Sequence, residues 1–264
     1  MPIHDDLGTR MKTFYEQVPK TRLTRRTPVA IRLDGKAFHT FTRGFEKPFD
    51  KVLGNAMMRT MKYLCENIQG CVFGYTQSDE ITLILIDYQK FTSEAWFDYE
   101  VQKMCSISAS MATMAFNRYF EREVSDYRNN IPRDIDGCLD EESQNQWKKY
   151  VLALDKGAMF DARCFNIPKE EVCNLVYWRQ LDATRNSIQM VGQAYFSHKE
   201  LQNKSCKDIQ EMLHWGQGIN WNYYPTRWKR GVAWKKECGI DLEMPILRGE
   251  DRNYLEEVIY IGEQ

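Results

Sequence analysis

The order of elements in this sequence predicts an α+β fold: a ferredoxin-like βαββαβ domain, an antiparallel sheet with two helices on one face, followed by an appended helical C-terminal region. Three observations carry this. An apolar strand at Pro28 to Asp34 is followed by a helix-spaced segment and a hairpin; a long second helix then leads to another strand, "AMFDARCFNIP"; and the remaining third has helical spacing.

In the first strand Val29, Ile31 and Leu33 alternate with Ala30, Arg32 and Asp34, which sets Asp34 on the face opposite the larger apolar set. From Phe49 the positions Val52, Leu53, Ala56, Met57, Met61, Leu64 and Ile68 follow helical spacing and stop at Gly70. Two strand-like runs, Cys71 to Tyr75 and Ile81 to Ile86, are joined by a polar turn through Gln77, Ser78 and Asp79. A helix over roughly residues 93–123 comes next, then an acidic, Pro-bearing segment from Ser125 to Asn145 that reads as a surface excursion. After the last strand the spacing predicts helices over 169–196 and 205–215, with Ser197 and Glu200 placed as a capping box. The expected division is a catalytic core over 1–168 and a helical, basic and aromatic region over 169–264 packed on it and contacting nucleic acid.

Apolar residues make up 43% of the chain and charged residues 28%, with no apolar run of membrane-spanning length and no leader-like start, so a cytoplasmic protein with no membrane partner is expected. Eight cysteines lack any C-x-x-C pattern and read as reduced thiols, mostly in the core. The net charge of −1 does not by itself announce a nucleic-acid partner. Basic residues nonetheless cluster at Lys20, Arg22, Arg25 and Arg26, and again at Lys229, Arg230, Lys235 and Lys236 among Trp228 and Trp234. Either cluster alone is more simply a solvated face.

The βαββαβ order brings the end of the first strand and the hairpin turn to one edge, so Asp34 and Asp79 can approach each other. Taken singly, each is an ordinary turn residue. Together they are two hard oxygen ligands that repel unless a cation such as Mg²⁺ lies between them, and the Gly35 carbonyl can add a third oxygen. That arrangement suits two-metal phosphoryl or nucleotidyl transfer. Glu80 points to the other side of its strand from Asp79 and is a weaker, supporting acid; the amides from Lys36 to His39 can form a concave anion site. Lys47, Lys103, Arg163 and Arg179 lie near or after this edge, each alone more simply a solvated cation.

The segments "IRLDGKAFHTF", "FEKPFD", "YTQSDEIT", "FDARCFNIP" and "YWRQLDATRNS", in consistent order between Pro28 and Gly231, resemble the tRNA-histidine guanylyltransferase superfamily and, within it, the bacterial guanylyltransferase-like proteins. The resemblance implies a polymerase-palm catalytic domain that adds nucleotides in the 3′-to-5′ direction to the 5′ end of tRNA, after ATP or GTP activates that end. It also implies a homotetramer. Carried over by motif, Asp34, the Gly35 carbonyl and Asp79 would bind two Mg²⁺ with Glu80 supporting. Asp34, Gly35, Lys36, Ala37, Phe38, His39, Ser78 and Asp79 would hold a nucleotide, and Lys47, Lys103 and Arg163 would contact phosphates. Where the guanylyltransferases proper carry a His-Ile-Asn signature, this chain reads Thr184-Arg185-Asn186-Ser187, which favours a templated enzyme that repairs 5′-truncated tRNA over one that adds a single G. Two other readings stay open: a palm-type nucleotide cyclase, and a non-enzymatic RNA-binding module stacking bases on Trp221, Trp228 and Trp234.

Overall fold

The computed structural model describes residues 6–132 and 140–261. Along the chain run α1 (Leu7–Met11), β1 (Val29–Gly35), α2 (Phe38–Phe41), α3 (Lys51–Asn67), β2 (Cys71–Gln77), β3 (Glu80–Leu85), α4 (Val101–Asn129), α5 (Glu141–Lys156) and β4 (Phe160–Asn166). They are followed by α6 (Lys169–Tyr195), α7 (His198–Leu201), α8 (Cys206–Gln217), α9 (Thr226–Arg230), β5 (Val232–Lys235), β6 (Gly239–Asp241) and α10 (Asn253–Ile259). All strand pairs are antiparallel, in the order β4-β1-β3-β2-β5-β6.

Period-two alternation sorts the strands between two cores. Ile31, Leu33, Ile81, Leu83 and Leu85 face α3 and α4, whose Met57, Met61, Leu64, Met104 and Phe116 are fully or almost fully buried. Ala30, Val72, Phe73 and Ile84 face the other way and are covered by Val172, Cys173 and Val176 of α6 and by Leu255 and Ile259 of α10. The sheet therefore carries helices on both faces rather than on one. The cause is visible in β2 and β3, buried at nearly every position, a pattern that needs apolar cover on both sides. A third cluster joins α6 to α8 through Ile188, Val191, Ile209, Leu213 and Trp221.

Four expectations need correction. The helix expected from residue 93 begins at Val101, because Phe97, Asp98 and Tyr99 take positive φ in a tight turn that cannot continue a helix. It also runs on to Asn129, and residues 141–145 open α5, so much of the supposed excursion is helical; residues 133–139 lie outside the described residues. Helix α5 escaped notice although its signal is present: Tyr150 and Ala153 are buried, and Trp147 and Leu154 pack beside them at helical spacing, directly behind the acidic segment. The last third is not wholly helical: β5 pairs with β2 and β6 with β5, extending the same sheet. The capping box of Ser197 and Glu200 is formed, and a second one, Ser205 with Asp208, starts α8.

The seven described cysteines are free, but only Cys65, Cys71 and Cys173 are buried, fewer than expected; Cys138 lies outside the described residues. No helix among the described residues is long and apolar enough to cross a membrane.

Candidate active site

The hairpin turn at Ser78 and Asp79 folds back onto the end of β1. The Gly35 amide donates to the Asp79 carbonyl at 3.1 Å, which ties the two acid-bearing segments together through the backbone. Ser78 makes the reversal possible by taking φ 49°, and its hydroxyl donates to Asp79 Oδ1 at 2.9 Å. Burial raises the Asp79 carboxyl above its ordinary value, and the Asp34 and Glu80 charges push the same way, outweighing the Ser78 hydrogen bond. Neither Asp34 nor Asp79 has an ion-pair partner among the described residues. Both line a cleft of about 550 Å³ with Gly35, His39, Lys47 and Ser78.

Glycine at 35 answers to packing: a Cβ there would lie 2.2 Å from the Phe38 ring. Phe38 is 4% exposed and packs its ring on Phe41, Phe116 and Phe160, so its main part is to close the cleft against the core. Ala37 takes the left-handed conformation, φ 53° and ψ 39°, costing an L-residue about 1 kcal/mol, and starts the single turn α2. The Lys36 amide donates to the Met159 carbonyl at 2.8 Å, so the expected amide concavity is narrowed to Ala37, Phe38 and His39.

Of the expected cations, Lys47 lines the cleft. Lys103 and Arg163 do not: Lys103 Nζ lies 3.9 Å from Glu100 on α4, and Arg163 Nη2 lies 3.0 Å from Asp161 on β4. Arg179 is no solvated cation. It is 5% exposed, grips both Glu80 oxygens at 3.0 and 3.3 Å, and reaches Asp182 at 2.8 Å. Glu80 also meets Arg32 at 3.4 Å. Its direct register with Asp34 puts it on the Asp34 side of the sheet, while Asp79 belongs to the turn.

Sequence reasoning missed Asp161, although the strand carrying it was expected. The antiparallel register sets Asp161 beside Asp34 on β4 as Glu80 stands beside it on β3, so three acids cross the sheet in one row. Asp50, Met190 and Gln193 also line the cleft. Asp50 was readable as a helix cap: it accepts from the Leu53 amide at 2.8 Å, and also from the Glu46 amide and the Tyr150 hydroxyl.

The basic and aromatic clusters are largely structural. Trp221 and Trp234 are buried, Trp228 stacks on Phe49 at 5.3 Å, Lys229 donates to the Asn222 carbonyl and Lys235 pairs with Glu257. Near the N-terminus Arg22 and Arg25 pair with Asp98 and Asp87. The three tryptophans assigned to base stacking in the RNA-binding reading thus serve packing instead.

Comparison with known proteins decides the family. The sequence profile described as "Thg1: tRNAHis guanylyltransferase" matches residues 8–168, more than half of the chain and the part that carries both acids. The chain belongs to the tRNAHis guanylyltransferase family. It is therefore a nucleotidyltransferase of guanylyltransferase-like activity. An uncharacterized mimivirus protein, R259, is 30% identical over 89% of this chain and 78% of its own length. The tRNA(His) guanylyltransferase of Schizosaccharomyces pombe is 27% identical over 82% of this chain and 76% of its own. Among solved structures, a bacterial guanylyltransferase-like protein in complex with ATP superposes with a TM-score of 0.81 at 40% identity, covering 97% of this chain and all of that one. A bacterial guanylyltransferase-like protein in complex with GTP superposes with a TM-score of 0.74 at 37% identity and the same coverage.

Proposed function

We propose that this member of the family repairs 5′-truncated tRNA by template-dependent 3′-to-5′ addition of nucleotides, after ATP or GTP activates the 5′ end. The observation that carries the reading is that Asp34 and Asp79 line one cleft, each within the other's field and neither with an ion-pair partner among the described residues. The likeness of the chain to bacterial guanylyltransferase-like proteins solved with ATP and with GTP supports nucleotide as the occupant. In this reading the sheet and its α3 and α4 cover form a palm-type core, and tRNA lies across the region that includes residues 169–264.

The donor set fits Mg²⁺, a hard cation that keeps several waters and needs few protein oxygens. The carboxylates of Asp34 and Asp79 and the Gly35 carbonyl, which line one cleft, would be its protein ligands; no cluster of three or more His, Cys, Asp or Glu that could hold a metal stands among the described residues. Two bound ions would supply Lewis acidity toward the attacking hydroxyl and the triphosphate. Lys47 and the amides of Ala37, Phe38 and His39 hold phosphate oxygens on the cleft wall, and Ser78 fixes the Asp79 carboxyl. Glu80 acts through Arg179 and Arg32, clamping the β1 and β3 ends that present the acids. Lys103 and Arg163, outside the cleft, contact phosphates of the longer substrate. The working unit is a cytoplasmic homotetramer.

Single-turnover addition with each of the four NTPs, on a truncated tRNA whose template base is C or A, tests this reading. The expected result is a switch of the favoured nucleotide from G to U. Preference for GTP on both templates would return the chain to single-G addition, and a cyclic nucleotide product would make it a cyclase.

A further inference from the structure

Thr184, the position at which this sequence departs from the guanylyltransferases proper, is not part of the acid cleft. With Tyr177, Gln180 and Leu181 it forms one stripe of α6, whereas the cleft is lined by Met190 and Gln193 of the same helix. The Thr184 stripe walls a separate hollow of about 530 Å³, closed on its other side by Arg230, Ile246 and Arg248.

The chemistry of this hollow is unbalanced. Arg179, Arg185 and Arg252 are each held by a carboxylate, but Arg230 and Arg248 have no ion-pair partner among the described residues. Arg230 Nη2 reaches Thr226 Oγ1 at a long 3.4 Å, and its Nε is buried with no hydrogen-bond acceptor. A guanidinium left without an acceptor in this way favours an incoming anion. Beside these cations lie apolar surfaces that water does not favour: Leu181 is 50% exposed and Ile246 43% exposed. Gln180 is held in place, its amide donating to the Pro245 carbonyl at 2.8 Å and accepting from the Leu247 amide at 3.0 Å. Asp251, which also lines the hollow, can accept from a ribose hydroxyl or an exocyclic amine.

A fixed wall, two unpaired guanidiniums and an apolar shelf fit a group that joins a phosphate to a flat ring. We infer that this hollow binds one phosphorylated nucleotide unit, supplied by tRNA, with its phosphate between Arg230 and Arg248 and its ring against Leu181 and Ile246. Thr184 then bounds a nucleotide-recognition pocket, and the short side chain there sets which ring fits. The inference rests on tRNA as substrate and not on the metal-binding role of Asp34 and Asp79.

The test is photocrosslinking of the full chain carrying Leu181→p-benzoylphenylalanine, with tRNA, ATP or GTP, against the same replacement at Leu152, an exposed position on α5. Labelling of one tRNA nucleotide, above the Leu152 control and lost on adding Arg248→Glu, is the expected result. Arg248→Ala should also lower the slope of log tRNA affinity against log salt by about 0.7 to 0.9, one phosphate contact, and Arg248→Lys should restore it. Labelling by ATP or GTP alone, undiminished by tRNA, would overturn RNA as the source and make a free nucleotide the occupant. Labelling no stronger than the Leu152 control, with an unchanged salt slope, would overturn the site altogether. An Asp34→Ala variant should label as the wild type does, so a failure of templated addition leaves this readout intact.

Discussion

Asp79 and Glu80 are sequence neighbours at the same hairpin, yet the fold treats them in opposite ways. Glu80 is compensated: Arg179 takes both its oxygens and Arg32 a further contact. Asp79 has only the Ser78 hydroxyl and the neighbouring backbone, and stands within the field of a second uncompensated acid, Asp34. A carboxylate satisfied by guanidinium holds structure together, while one left partly buried in a cleft without a cationic partner is suited to a mobile cation. The difference separates an acid that shapes the site from the acids that work in it.

The largest test of this contrast is activity. Asp34→Ala and Asp79→Ala should each lower nucleotide addition by about 10³-fold or more, since each removes a ligand for the ions on which transfer depends, while thermal melts show the fold intact. Near wild-type Mg²⁺-dependent addition by either variant, at matched folding, would remove it from the metal site.

On the Glu80 side the expected effect is on stability first. Arg179→Ala leaves Glu80 and Asp182 without their shared buried cation and should cost about 3 kcal/mol of unfolding free energy. Urea denaturation measures this; a loss below about 0.5 kcal/mol, the range of an ordinary surface change, would show that the network is not what holds the strand ends.

The smallest effect concerns pH. Because folding raises the Asp79 carboxyl, the folded chain holds that proton more tightly than the unfolded one. The group therefore favours the fold below the ordinary carboxylate value of 3.8 and loses that contribution as pH rises through its raised folded value. Asp79→Asn should accordingly stabilise the metal-free protein at neutral pH by no more than about 1 kcal/mol and flatten this part of the stability profile. A lower melting temperature for Asp79→Asn in chelator at pH 7 would show that Asp79 is compensated after all.

The sequence by itself determined the order of β1, α3, β2, β3, α4 and β4, the facing of β1 and the approach of Asp34 to the Asp79 turn. These follow from periodicities of two and 3.6 and from local turn chemistry, which act within a few residues. It determined less elsewhere: α5 went unread behind the acidic segment although Trp147, Tyr150 and Leu154 are helically spaced, and four-residue β5 was masked by the basic and aromatic residues around it. Only the tertiary structure decided which charges are satisfied. Whether Arg179 is a solvated cation or a buried clamp, whether Trp234 is a stacking platform or core, and whether Asp161 stands beside Asp34 depend on partners 99 residues away at Glu80, across a sheet face, or in register on another strand. Burial and pairing are properties of three-dimensional neighbours, and spacing along the chain does not contain them.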